Sequence, residues 1–315
     1  METSQKLLEA AAHRAGAFNL LYLVMALRPR QWIKNLLIFL PFVFAVKVAW
    51  DLHNLSPVPA ILLRLVVVFL AFCALSSAVY LFNDLMDRKA DRAHPTKRYR
   101  AIASGKVGTS TALVVMAALG SGGLVASVLV DMLLGGICLI YLIINASYSL
   151  GIKRVVLVDV LLVSSGYVIR ATAGAVAIDV TPSPWLYATT AAGALFIVLG
   201  RRYAEVRLAG EDAAGQRSVL QQYGGPFIGQ LLTISSTAAL VAYTLYTVNA
   251  ANLPANHTMM LTVPFVTFGL FRYLYLLNNS KEAETPEQLI SRDIPLVLTI
   301  LCWMAVAAAV LLLNK

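Results

Sequence analysis

Three carboxylates, one amide and two cations crowd the run Asn83-Asp84-Leu85-Met86-Asp87-Arg88-Lys89-Ala90-Asp91, where a long apolar stretch ends. On a helix, Asp84, Asp87 and Asp91 stand at i, i+3 and i+7, so their carboxylates point to one side. Three acids on one face repel one another unless a cation neutralises them. Hard oxygen ligands at this density suit Mg2+, which keeps some waters and completes its shell with substrate phosphates. The following loop brings Lys97, Arg98, Arg100 and Lys106. Beside a carboxylate–metal site these cations can clamp diphosphate oxygens, the arginines bidentately. Taken alone, the same loop is equally a topology signal. His94 reads as a loop residue with no role as a base.

Three further groups have similar chemistry. Tyr148, Lys153 and Asp159 fall within twelve residues. They are either an interfacial aromatic, a topology lysine and a helix-start acid, or parts of a substrate site. Arg170 lies eleven residues beyond Asp159, about 16 Å along a helix. A charge that deep faces a polar cavity or a partner. Before all of these comes Arg28-Pro29-Arg30-Gln31-Trp32-Ile33-Lys34-Asn35, in which Pro29 can begin a helix and Arg30 and Lys34 stand one turn apart. Arg201, Arg202 and Glu205 close another apolar run.

The elements that must position these residues follow from composition. The 315-residue chain is 59% hydrophobic and 13% charged, with mean hydropathy +0.75, against about 25% charged in an average soluble domain. That excludes a soluble globular enzyme, a disordered tail and a DNA-binding module. A helix crosses the hydrocarbon core in about 20 apolar residues. Such runs lie near 33–50, 59–83, 111–130, 132–149, 155–178, 184–200, 227–250, 257–277 and 294–313. The expectation is an all-α, polytopic membrane protein with nine spans. Only Asp131 separates the third span from the fourth, which predicts a tight hairpin.

The net charge of +9 is distributed by loop. Lys6, Arg14, Arg28, Arg30 and Lys34 precede or open span one. Arg88 to Lys106 follow span two, Lys153 and Arg154 span four, Arg201 to Arg217 span six, and Arg272, Lys281 and Arg292 span eight. Lys47, Arg64 and Lys315 only flank the opposite loops. The positive-inside rule then puts the N-terminus and the even-numbered loops in the cytoplasm. The acids gather there too, with only Asp51, Asp131 and Asp179 in the opposite loops. A face rich in both signs suits a metal-bridged polyanion.

Other classes find no support. Cys73, Cys138 and Cys302 lie in apolar runs, without a CxxC or Cys/His cluster, and read as buried thiols. No cleavable signal is expected in residues 1–27. Nucleotide-loop, serine-hydrolase, zinc-protease and dinucleotide motifs are absent from the sequence.

With these pieces placed, nearly the whole chain resembles the UbiA superfamily of intramembrane prenyltransferases. The resemblance is carried by the run Asn83–Asp91, the Arg100-Ala-Ile-Ala-Ser-Gly105 stretch and the nine helices with their acidic face. It is most similar to the decaprenyl-phosphate phosphoribosyltransferase branch. There the matching residues are Arg28–Asn35, the Tyr148…Lys153…Asp159-Val160 spacing and Leu199–Glu205. Two departures stand out. Arg201, Arg202 and Glu205 occupy the position of the second aspartate-rich motif of aromatic prenyltransferases, and Ala101 stands where proline is common.

The resemblance implies one UbiA-like transmembrane domain over 1–315, with 1–27 as a cytoplasmic segment, in the cytoplasmic (inner) membrane. It implies Mg2+-dependent transfer of 5-phosphoribosyl from phosphoribosyl diphosphate to a polyprenyl phosphate, at a site facing the cytoplasm. Asp84 and Asp87, supported by Asn83 and Asp91, would hold Mg2+. Lys97, Arg98 and Arg100 would neutralise the leaving diphosphate. Lys153, Tyr148 and Asp159 would position the ribosyl phosphate, and Arg30 and Lys34 would meet the lipid phosphate or the diphosphate. Arg170, Arg201 and Arg202 complete the substrate-binding set. Partners are the two substrates and the membrane, with no nucleic acid, and a homo-oligomer stays open. The alternatives are prenyl transfer from a prenyl diphosphate and a non-enzymatic lipid-phosphate carrier.

Overall fold

Where an apolar run is long enough to span lipid, the backbone has no water to bond and winds into helix. The computed structural model describes residues 20–181, 183–209, 222–250, 253–279, 289–290 and 292–313. Lys6, Arg14, Arg217, Lys281 and Lys315 of the charge pattern lie outside these. Among the described residues the protein is helical, with no β-strand. The helices are α1 (Leu20–Leu27), α2 (Leu40–Phe44), α3 (Val58–Met86), α4 (Arg88–Ala93), α5 (Thr109–Val130) and α6 (Met132–Leu150). They continue with α7 (Val158–Ala177), α8 (Pro184–Ala209), α9 (Gly225–Asn249), α10 (Val263–Asn279) and α11 (Ile294–Leu313).

Among the described residues, seven helices are long and apolar enough to cross a membrane: α3, α5, α6, α7, α9, α11, and α10 with its preceding turn from Thr258. Side chains such as Leu129, 81% exposed, and Met132, 77% exposed, cover their outer faces. That apolar surface belongs in lipid. Cys302 is exposed on this surface, while Cys73 and Cys138 are buried as expected. The α5–α6 hairpin forms as read. Asp131 leaves the helical conformation and accepts from Leu133 N–H (2.7 Å) and Leu134 N–H (3.1 Å), capping α6.

Two of the nine expected spans take other forms. The first is no regular α-helix over 33–50. A 3₁₀ segment, Pro29–Phe39, leads into α2, and turns follow from Ala45. The greater rise of 3₁₀ backbone lets these residues cover about 30 Å. The sixth becomes α8, whose C-terminal half carries Arg201, Arg202, Glu205 and Arg207 beyond the apolar run. Small residues set the approach of the elements that carry the site. A Cβ at Gly174 of α7 would overlap the Ile38 carbonyl, so glycine lets the 3₁₀ segment lie against α7. Ile38, Phe72, Leu75, Leu134 and Ala173 then form one dry core joining α3, α6 and α7.

Candidate active site

The α3 C-terminus and the loops near it build a charged centre by pairing residues distant in sequence. Arg28 Nη2 donates to Asp84 Oδ1 at 2.6 Å, and Arg100 Nη1 donates to the same oxygen at 3.2 Å. Arg100 also reaches Asp91 Oδ2 at 2.8 Å. Lys153 Nζ contacts both oxygens of Asp87, at 2.6 and 2.7 Å. Asp84 and Asp91 are buried, and Asp87 is partly exposed. Asp91 therefore turns inward onto Arg100. The acids also do not converge: no group of three metal-ligating side chains occurs among the described residues. Helix α3 ends at Met86 and Asp87 leaves helical geometry, so Asp87 meets Lys153 while Asp84 and Asp91 share Arg100.

Arg28 had no site role in the sequence reading. It sits before Pro29 with φ 54°, in the left-handed region that a non-glycine residue enters only at a cost. Ser77 of α3 donates to the Leu27 carbonyl at 3.0 Å and accepts from Trp32 Nε1 at 3.1 Å. These bonds fix the turn that aims Arg28 at Asp84. The Arg-Pro pair was the available signal, because a following proline disfavours the right-handed helical region for the residue before it.

Beside this centre opens a cavity of about 250 Å³, and five cations line it: Arg28, Lys34, Arg170, Arg201 and Arg202. Among the described residues, no carboxylate does. Asn83, Tyr148, Tyr141, Asn145 and Tyr167 supply polar walls, and Val79, Ile144, Leu162 and Val163 apolar ones. Of the predicted residues, Arg30 and Arg98 are exposed and off the cavity wall, Arg98 bonding Tyr99 at 2.8 Å. Lys97 is half-buried in the loop above. His94 accepts from Thr96 N–H, as a loop residue does.

Asp159 is fully buried and does not line the cavity. Arg202 Nε donates to its Oδ2 at 3.0 Å and Tyr223 Oη to its Oδ1 at 2.5 Å. Both oxygens are thus taken by protein donors. Arg202 also pairs with Glu205 at 2.5 Å, and Arg201 with Glu205 at 3.3 Å. Tyr223, absent from the sequence reading, accepts in turn from Leu157 N–H at 2.8 Å. Leu157 has φ 69°, a second strained residue at this end. Burial, then the Asp159 carboxylate, push the Tyr223 phenol well above its ordinary pKa, so it remains a donor.

Asn83 Oδ1 is buried against the cavity with no hydrogen-bond partner, and Asp84 Oδ2 takes no part in the bonds that hold Oδ1. An orphaned buried oxygen calls for a donor or a cation. Mg2+ commonly takes one or two carboxylates and then substrate phosphates. Asn83 and Asp84 have oxygens left for that kind of site, whereas Lys153 holds both oxygens of Asp87.

A model of the UbiA prenyltransferase family matches residues 38–292. The chain is 35% identical over 298 residues to a Mycolicibacterium smegmatis protein named decaprenyl-phosphate phosphoribosyltransferase, covering 91% of each chain. A Mycobacterium tuberculosis protein of the same name is 35% identical over 288 residues, covering 91% of this chain and 93% of that one. A solved UbiA homolog from Archaeoglobus fulgidus, bound to DMAPP and Mg2+, matches with TM-score 0.69 at 16% identity, over 92% of this chain and 98% of that one. The apolar helices, the charged end of the bundle and these likenesses agree: the chain is an integral membrane transferase and belongs to the UbiA prenyltransferase family.

Proposed function

We propose that this protein transfers 5-phosphoribosyl from phosphoribosyl diphosphate to a polyprenyl phosphate, with Mg2+, and releases diphosphate. One observation carries the reading: among the described residues, five cations and no carboxylate line the cavity, beside a separate aspartate set at its edge. Two substrates that are both phosphates suit that wall. The names of the 35% identical relatives support the same donor and acceptor classes.

In this reading an oxygen of the lipid phosphate attacks ribose C1 as the C1–O bond to diphosphate breaks. The nucleophile is already anionic, so no strong base is needed, and catalysis consists of positioning and charge stabilisation. Asn83 and Asp84, joined by Asp87 once Lys153 turns to the donor, would hold Mg2+, which would supply positive charge to the leaving diphosphate. Arg100 and Lys153, now on the aspartates, are placed to share that charge. Tyr148 and Lys153 orient the ribosyl phosphate. Asp159 acts through Arg202, holding that guanidinium at the cavity wall.

The charged end would face the cytoplasm across nine passes, with the 3₁₀ segment and α8 as the first and sixth. Cysteines introduced at Gly108 should then label only from the cytoplasmic side, and those at Asn54, Asp179 or Asn256 only from outside. Mixed labelling of the two groups would remove this orientation. For the reaction, membranes containing the protein are incubated with labelled phosphoribosyl diphosphate, polyprenyl phosphate and Mg2+, and the lipid is extracted. Labelled lipid with release of diphosphate is expected. Turnover of a prenyl diphosphate instead would select prenyl transfer, and no turnover with either donor would leave a carrier.

A further inference from the structure

The four arginines on the cavity wall are not equivalent. Arg28 is paired with Asp84, Arg201 with Glu205, and Arg202 with Asp159 and Glu205. Arg170 is 6% exposed, and all of its hydrogen-bond acceptors are neutral. Its Nε donates to Asn35 Oδ1 at 2.7 Å, Nη1 to the Gly166 carbonyl at 2.6 Å, and Nη2 to Tyr141 Oη at 3.1 Å. The guanidinium also lies 5.1 Å from the Tyr141 ring centre. Asn35 is itself locked, its amide donating to Cys73 Sγ at 3.3 Å. A rigid, desolvated positive charge within a membrane-spanning helix therefore lines the cavity with no carboxylate among the described residues to balance it. Such a charge is costly unless an anion arrives.

We propose that Arg170 receives the phosphate of the lipid acceptor. The assignment rests on the reading of the acceptor as a lipid phosphate and names the residue that holds it. Depth separates the two substrates. The donor, a water-soluble polyanion, would take its partners at the α3 C-terminus, where Arg100 meets Asp84 and Lys153 meets Asp87. Arg170 is about three turns down α7 from Asp159, in a cavity whose other walls include Val79, Ile144, Leu162 and Val163. A donor driven to that depth would lose hydration on every phosphate. A lipid phosphate brings one charged head and an apolar chain, which such walls accept. The same guanidinium would fix the nucleophile's position, so lipid lacking a phosphate would be bound poorly as well as unreactive.

The test compares equilibrium binding of farnesyl phosphate and farnesol to the purified full chain in detergent, with phosphoribosyl diphosphate and Mg2+ titrated separately. Wild type should prefer the phosphate. Arg170→Met, close in shape and without charge, should reduce that preference by about tenfold or more while donor binding stays unchanged. A general loosening of the fold would weaken farnesol and donor binding too. If Arg170→Met keeps the wild-type preference, or loses donor affinity as steeply as acceptor affinity, the inference is overturned. If wild type shows no preference, the lipid-phosphate reading falls and takes the inference with it. Should Arg170→Met not fold, Arg170→Lys replaces it. A preference reduced but still above one is then expected, because one ammonium substitutes for the fork, and an unchanged preference overturns the assignment.

Discussion

The end of the bundle that carries Asp84 and Arg202 and the end that carries Tyr243 and Trp303 both hold buried polar networks and both open into cavities. At the second end the network is neutral. Trp303 Nε1 donates to Tyr243 Oη at 2.7 Å, and Tyr243 Oη lies 2.6 Å from Thr262 Oγ1. Its cavity is the larger, about 470 Å³, lined by residues such as Pro41, Phe44, Trp185 and Tyr246 and by no charged side chain. At the first end the cavity is about 250 Å³ and the network consists of ion pairs. Volume alone therefore does not mark the site. Neutral bonds satisfy buried groups at little cost, whereas buried charges persist only where something else requires them.

The sharpest way to break this contrast is at the aspartates. Asp84→Asn and Asp87→Asn should each lower turnover by about a hundredfold or more while the protein still inserts. Rates near wild type at saturating Mg2+ for both would remove the metal assignment. Asp91→Asn should also be harmful, since its carboxylate holds Arg100. Lys153→Ala comes next. Losing one charge-assisted bond to the donor should raise the donor KM about tenfold and change the acceptor KM much less. Equal effects on both substrates would favour the prenyl-transfer alternative.

A matched pair then compares the two ends directly. Tyr223→Phe and Tyr243→Phe each delete one buried hydroxyl with two partners. Each should cost about 1 kcal/mol of stability. Only Tyr223→Phe should also disturb kinetics, because Asp159 and the Leu157 turn hold Arg202 at the cavity. Measured donor KM and unfolding temperature separate the two outcomes, and identical kinetics would deny Tyr223 its positioning role.

The smallest effect concerns pH. The Arg272 guanidinium, bidentate at 3.1 and 2.9 Å, holds Asp293 below the usual carboxylate range. A lowered folded-state pKa means the pair stabilises the protein above the unfolded value near 3.8 and is lost as pH falls through the lowered one. Unfolding temperatures of wild type and Asp293→Asn should therefore differ slightly at pH 7 and converge below about pH 4. A difference that persists in acid would assign the effect to the cap on Leu296 N–H.

Several parts of this architecture were legible in the chain. Seven spans could be read because lipid permits only long apolar helices there, and Asp131 was readable because a capping acid acts on the residues next to it. The acidic run and its basic neighbours were legible as types and spacing. Their partners were not. Asp84 meets Arg28 across 56 residues, Lys153 meets Asp87 across 66, and Arg202 meets Asp159 across 43. The 3₁₀ winding from Pro29 was hidden as well, since its close approach to α7 depends on Gly174, far along the chain.

By itself, then, the sequence determined which charges exist, which helices deliver them and to which end of the bundle. Those properties depend on composition and on local periodicity, which neighbours in the chain suffice to set. Tertiary structure alone decided which charges are spent on one another and which face the cavity. Asp159, expected at the substrate, is enclosed by Arg202 and Tyr223, and Asp91 turns in to Arg100. Arg170 keeps its charge uncompensated against the cavity. The energy of a charge depends on distance and on the water removed around it. Both are set only when helices far apart in the chain pack together.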